Sequence, residues 1–134
     1  MRITAIIKDS TSYGGKKDVI LTSGASTEIG THYFAGALFN ELSTSKNDIV
    51  IAGGEPLDQM YLLQTFLELV RYKSDKKIHL VTKRKVIPTK RVWQFLAQYV
   101  DIVEEYTSGQ IIDLKKSVRR ADVVLWEDSN DEVQ

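Results

Sequence analysis

The chain is predicted to be a single α/β domain built on a mostly parallel sheet of five to six strands with crossover helices. Three observations predict it. Short apolar runs of strand length, such as Ile49-Val50-Ile51-Ala52, recur along the sequence. Between several of them lie segments whose apolar residues repeat at helical spacing. That alternation argues for parallel strands joined by right-handed crossovers. The length, 134 residues, is that of one ordinary domain, and no internal repeat or low-complexity tract divides it.

In chain order, residues 3–7 form a first strand, and residues 9–17, rich in Ser, Thr and Gly, a loop. Residues 18–23 form a second strand. Residues 24–31 make a Gly/Ser/Thr loop in which Thr31 caps a helix over residues 32–42, with Ala35, Leu38, Phe39 and Leu42 facing inward. The polar residues 43–47 end it. Residues 49–52 are a third strand, and a helix over residues 57–72 buries the stripe Met60, Leu63, Phe66, Leu67 and Val70. Residues 78–81 are a fourth strand, after which Thr89 caps a helix with Val92, Leu96, Tyr99 and Val100 inward and Trp93 beside them. Residues 101–106 read as a fifth strand-like segment, Ser108-Gly109 as a turn into a short element near residues 111–114, and residues 122–126 as a last strand. The α/β domain thus spans residues 1–126, and residues 127–134 form an acidic, flexible tail.

The absence of cysteine excludes disulfides, thiolate metal sites and cysteine nucleophiles. No apolar run approaches the roughly 18 residues that cross a bilayer, and Met1-Arg2-Ile3-Thr4 does not open a signal peptide, so a cytoplasmic protein without membrane partners is expected. The formal net charge is zero, yet residues 71–91 hold nine basic side chains against Asp75, and residues 101–134 hold nine acidic ones against four bases. Such runs are either solvated faces or a polyanion-binding patch with an acidic competitor.

The organising stretch is DIVIAGGEPLDQ, residues 48–59, in which a buried strand meets Gly53-Gly54-Glu55-Pro56 and a helix begins. Paired glycines admit a ligand or a neighbouring strand where a Cβ would collide, and the new helix end adds free N–H donors. They serve equally as punctuation at a strand-to-helix corner. Ligands in parallel sheets collect beyond the carboxyl ends of the strands. That edge gathers Ser23-Gly24, Gly53-Gly54-Glu55, Lys83-Arg84 and Glu127, Asp128, Ser129 and Asn130.

SGASTEIGTHY, residues 23–33, followed by a strand and AGGEPL, residues 52–57, resembles the opening of the radical S-adenosylmethionine superfamily. Within it, the chain is most similar to the activating proteins of anaerobic ribonucleotide reductases, with Gly14-Gly15 in place of a GPG-like turn. VDIVEEYTSGQIID, residues 100–113, is similar to their late strand and turn, and WEDSN, residues 126–130, to their closing tryptophan motif with Arg and Gly replaced by Glu127 and Asp128. The resemblance implies a partial radical-SAM (β/α) barrel. It also implies a C-x3-C-x2-C loop holding a four-iron four-sulfur cluster, and a GGEP turn that seats the methionyl amino group.

The three cluster positions fall on Ala25, Ile29 and His32, with Tyr33 as the trailing aromatic. Ala25 and Ile29 have no donor atom, and His32 cannot replace three thiolates, so no iron-sulfur cluster is expected and radical chemistry is excluded. The expected protein is a degenerate member without catalytic residues that acts as a protein-interaction or regulatory module, since family members dock on a larger partner. One alternative is a metal-free binder of S-adenosylmethionine or a related nucleoside at Gly53, Gly54, Glu55 and Pro56, in which Glu55 accepts from the ligand ammonium. Another is nucleic-acid binding through residues 71–91, with Tyr72 and Trp93 as stacking surfaces. Hydrolase or transferase chemistry finds less support: His79 reads as packed or paired, Glu104 and Glu105 point to opposite faces of a strand, and a metal at His32 with Glu28 or Glu55 lacks a spacing signature.

Overall fold

The computed structural model describes residues 1–24, 30–84 and 90–114. In chain order these form β1 (Arg2–Ser10), β2 (Lys17–Thr22), β3 (Thr31–His32), α1 (Ala35–Ser43), β4 (Asp48–Gly53), α2 (Met60–Lys73), β5 (Ile78–Thr82), α3 (Lys90–Tyr99), β6 (Ile102–Glu105) and β7 (Ile111–Asp113), with a 3-10 turn over Pro56–Gln59 leading into α2. The fold is α/β. The strand expected at residues 122–126, the acidic tail and the cap at Thr89 lie outside the described residues.

One sheet holds seven strands among the described residues, in the order β3-β1-β2-β4-β5-β6-β7. Strands β2, β4, β5 and β6 are parallel neighbours. The pairs β1–β2, β1–β3 and β6–β7 are antiparallel. The sheet is therefore mixed rather than mostly parallel, and wider than the five to six strands expected. Its order runs from β3 to β7 without closing, so the barrel likeness is not seen. Connection length explains the correction. Residues 11–16 are too few for a parallel crossover, which needs a dozen or more, and Gly14 (φ +83) and Gly15 (φ +78) supply the left-handed backbone of a hairpin loop. Gly109 (φ +72) does the same between β6 and β7.

Successive residues of the parallel strands face opposite sides. Ile20, Ile49, Ile51, Ile78, Leu80 and Val103 join the core with Leu38, Phe39 and Leu42 of α1, Leu63, Phe66, Leu67 and Val70 of α2, and Trp93 and Leu96 of α3. Val19, Val50, Ala52 and Val81 make a smaller cluster on the other face, with Tyr13 and Leu21 packed against it. The three crossovers each step to the next strand in the same direction, so a single handedness leaves all three helices on one face. Each large apolar side chain buried there contributes about 1.5–3 kcal/mol.

Helix α1 starts three residues later than the sequence predicts. Thr31 and His32 instead pair with Ile3 and Arg2 of β1, and the Tyr33 N–H donates to the Met1 carbonyl at 2.8 Å. Phe34, not Thr31, is the residue before the helix, and no side chain caps it. In α2 the expected stripe is found, with Leu63, Phe66, Leu67 and Val70 buried and Met60 half-buried. Trp93 lies in the core, 1% exposed, and offers no stacking surface.

Candidate functional site

The strands β2, β4 and β5 end side by side at Thr22, Gly53 and Thr82, which places the glycine corner between its two parallel neighbours. The Thr22 hydroxyl donates to the Ala52 carbonyl at 3.1 Å. Gly53 takes φ +76, and a Cβ there would stand 3.0 Å from Leu21 Cα and from Thr22 N. A Cβ on Gly54 would lie 2.3 Å from the Ser23 carbonyl oxygen and 2.5 Å from Gly24 Cα. The pair of glycines is thus required by the close passage of the chain's own main chain.

Glu55 follows in extended conformation, and Pro56 occupies the first turn of the 3-10 helix. The Glu55 carboxylate accepts from the Leu57 N–H at 3.0 Å, from the Thr82 hydroxyl at 2.9 and 2.8 Å, and from the Lys83 N–H at 2.7 Å. Thr82 is fully buried, and its hydroxyl accepts in turn from the Arg84 N–H at 3.1 Å. One carboxylate therefore caps the turn into α2 and ties it to the end of β5. A few residues on, the Gln59 amide bonds both main-chain groups of Arg2, at 2.8 and 2.9 Å, and the Arg84 guanidinium donates to Asp58 at 2.6 Å. The sequence singled out Glu55 but not Thr82, whose only signal was its place at the end of the fourth strand.

Beside Gly53 a cavity of about 250 Å³ is lined by Tyr13, Leu21, Ala52, Val81, Lys83 and Tyr106. The Lys83 ammonium stands 5.5 Å from the Tyr106 ring centre, and Tyr106 is 62% exposed. Among the residues expected to mark the vanished cluster, Ala25 and Ile29 lie outside the described residues, as does Glu28. His32 is exposed on the edge strand β3, with its ring against Phe34 at 5.4 Å. Glu127, Asp128, Ser129 and Asn130 are also outside the described residues. Among the described residues, no group of three or more His, Asp or Glu side chains is placed to hold a metal ion, and no helix is long and apolar enough to cross a membrane.

On the face opposite α1, α2 and α3, His79 of β5 and Glu104 of β6 form a pair, Nε2 to Oε1 at 2.9 Å, with side chains 13% and 22% exposed. Burial lowers the His79 pKa, and the Glu104 carboxylate only partly offsets this. The Tyr13 ring stands edge-on to the imidazole at 5.7 Å. Burial, then the charges of Glu104 and Tyr106, raise the Tyr13 phenol. Glu105, one residue on, is fully buried and accepts from the Thr107 and Ser108 N–H groups at 2.6 and 3.0 Å, so the two adjacent acids do serve opposite faces.

The basic stretch is divided. Arg71 donates to the Lys76 carbonyl, and the Lys76 ammonium donates to the Ser45 and Asn47 carbonyls at 2.6 and 2.7 Å. These, with Lys73 and Lys77, lie at the amino end of β5, whereas Lys83, Arg84, Lys90 and Arg91 lie at or beyond its carboxyl end. Neither the family models nor the curated proteins contain a match to this chain.

Proposed function

We propose that this chain is a non-catalytic binding module that docks on another protein with the carboxyl edge of its parallel strands. The supporting observation is the state of Glu55. A carboxylate offers about four lone-pair sites, and Glu55 already accepts from three donors, the Leu57 N–H, the Thr82 hydroxyl and the Lys83 N–H. A ligand ammonium would find at most one site left beside the donors that hold the corner together, whereas a protein partner needs nothing from it. The surface outside the corner suits such a partner: Tyr106 is exposed beside Lys83, and a polar turn follows at residues 107–109. On this reading the chain is the degenerate member that the sequence resemblance implies, and the larger partner is a reductase of the kind that the resemblance implies.

The second reading, metal-free binding of S-adenosylmethionine or a related nucleoside, has one observation in its favour, the cavity between Gly53, Tyr13 and Tyr106. Calorimetry separates the two. Titration with the anaerobic ribonucleotide reductase of the same cells should give saturable binding that Tyr106→Ala with Lys83→Glu abolishes, while S-adenosylmethionine gives a flat trace. Saturable binding of S-adenosylmethionine with no response to the reductase would replace the first reading by the second.

A further inference from the structure

At the opposite end of the sheet from the glycine corner, a cavity of about 190 Å³ opens on the face opposite α1, α2 and α3. Tyr13, Lys17, Lys77, His79, Ile102 and Ile111 line it, together with the first residues of β4 and β5. Its apolar part is aliphatic and aromatic, and its polar part sets two lysines and an imidazole beside two aspartates. Both acids are engaged. Asp48 accepts from the Lys77 N–H at 2.9 Å and faces the Lys17 ammonium at 3.9 Å, and Asp101 accepts from the Ile78 N–H at 2.8 Å. Asp48 thus shares the Lys17 ammonium with the cavity at a distance longer than a hydrogen bond, and the Asp101 bond holds the start of β5. His79 is different. Its Nε2 is held by Glu104, which stands outside the cavity lining, so Nδ1 is the ring nitrogen left for a ligand. A carboxylate behind an imidazole fixes the ring's tautomer and orientation, and it stabilises the ring when it takes up a proton.

We infer that this cavity binds a compact organic carboxylate, its apolar body against Tyr13, Ile102 and Ile111 and its charge toward Lys17, Lys77 and His79. The inference does not depend on the proposed docking surface, which lies at the other end of the strands. Binding takes up a proton. His79 faces Glu104 from β6, Lys17 from β2 and the Tyr13 phenol from the β1–β2 loop, and burial holds its pKa below the ordinary 6.5. An arriving anion favours the imidazolium, so affinity rises as pH falls.

The test is a titration of the full chain with benzoate and with its neutral isostere benzamide, at pH 6 and pH 8, followed by the ring signals of the histidines in nuclear magnetic resonance. The chain has two histidines, and exposed His32 is the internal control. Benzoate should move the His79 signals and not those of His32, bind about tenfold more tightly at pH 6 than at pH 8, and exceed benzamide by about tenfold or more, the scale of one charge-assisted hydrogen bond. Lys17→Met should weaken benzoate about tenfold, and His79→Gln should remove the pH dependence. Should His79→Gln fail to fold, the wild-type pH series and Lys17→Met carry the test. Equal affinity for benzamide, a response at His32 instead of His79, or no response to benzoate by the folded wild type would each overturn the inference.

Discussion

The Glu55 carboxylate and the Thr82 hydroxyl meet at 2.8 Å across the ends of two neighbouring parallel strands, β4 and β5. The contact joins a corner that the sequence marks clearly to a strand end at which the sequence marks Lys83-Arg84 but not Thr82. It also converts a motif that looks like a ligand seat into a fastening of the fold, since the same carboxylate caps the turn leading into α2.

Glu55→Ala should therefore destabilise the chain by about 2–3 kcal/mol, through a lost cap and an unmet buried hydroxyl. Thr82→Val should cost less on its own. In a double-mutant cycle measured by urea unfolding, the two changes should couple by about 1–2 kcal/mol. Additive losses would show that the hydrogen bond contributes nothing.

Two glycines should respond with opposite signs. Gly54→Val puts a Cβ 2.3 Å from the Ser23 carbonyl oxygen and 2.5 Å from Gly24 Cα, and should leave little folded protein by circular dichroism. Gly36, second in α1, has nothing within 4 Å of the position its Cβ would take, and Gly36→Ala should stabilise by about 0.5–1 kcal/mol through helix propensity. A stable Gly54→Val variant would mean that the corner is less crowded than the structure has it.

Acid should unfold the chain in two stages. Burial lowers His79 from its ordinary 6.5. Burial pushes the Glu105 carboxyl up, but hydrogen bonds from Thr107 and Ser108 outweigh this and hold it below its ordinary 4.5. For Asp18 burial is likewise outweighed by hydrogen bonds from Asn47, Ser45 and the Asp9 N–H, with Lys76 nearby, and the carboxyl sits below its ordinary 3.8. In all three cases the unfolded chain takes up protons first, so stability is complete above the unfolded value and is lost as pH falls through the folded one. Urea midpoints should fall from about pH 6.5 downward with the His79 step, and again below about pH 4.5 with the two carboxylates. His79→Gln should flatten the first stage only.

The basic side chains should divide into structural and solvated ones. Lys76→Met removes two bonds to main-chain carbonyls and should cost about 1.5–3 kcal/mol. Exposed Lys73→Met should change stability by no more than about 0.5 kcal/mol. Single-stranded oligonucleotides should bind weakly, because the cations lie at both ends of β5 rather than in one groove. Tight binding that falls steeply with added salt would contradict this.

Much of the fold was legible in the residues. The stripe of Leu63, Phe66, Leu67 and Val70 faces the core, and the apolar runs that became β2, β4, β5 and β6 form the parallel centre of the sheet. The hairpins were legible too, in Gly14-Gly15 and in the shortness of the loops, although the alternation of strands and helices drew the reading toward parallel pairing throughout. The short strand at Thr31-His32 was not, because two residues carry no periodicity and their pairing with Arg2 and Ile3 depends on a segment far away in sequence.

By itself the sequence determined the fold class, the parallel centre and the exclusion of thiolate chemistry, because these follow from local periodicity and from which atoms the side chains possess. Only the tertiary structure decided that Glu55 is spent on Thr82 and Lys83, that His79 meets Glu104, and that the basic run is split along β5. Those relationships are set by strand order and register, through which residues more than twenty positions apart come within hydrogen-bonding distance, and no local pattern encodes them.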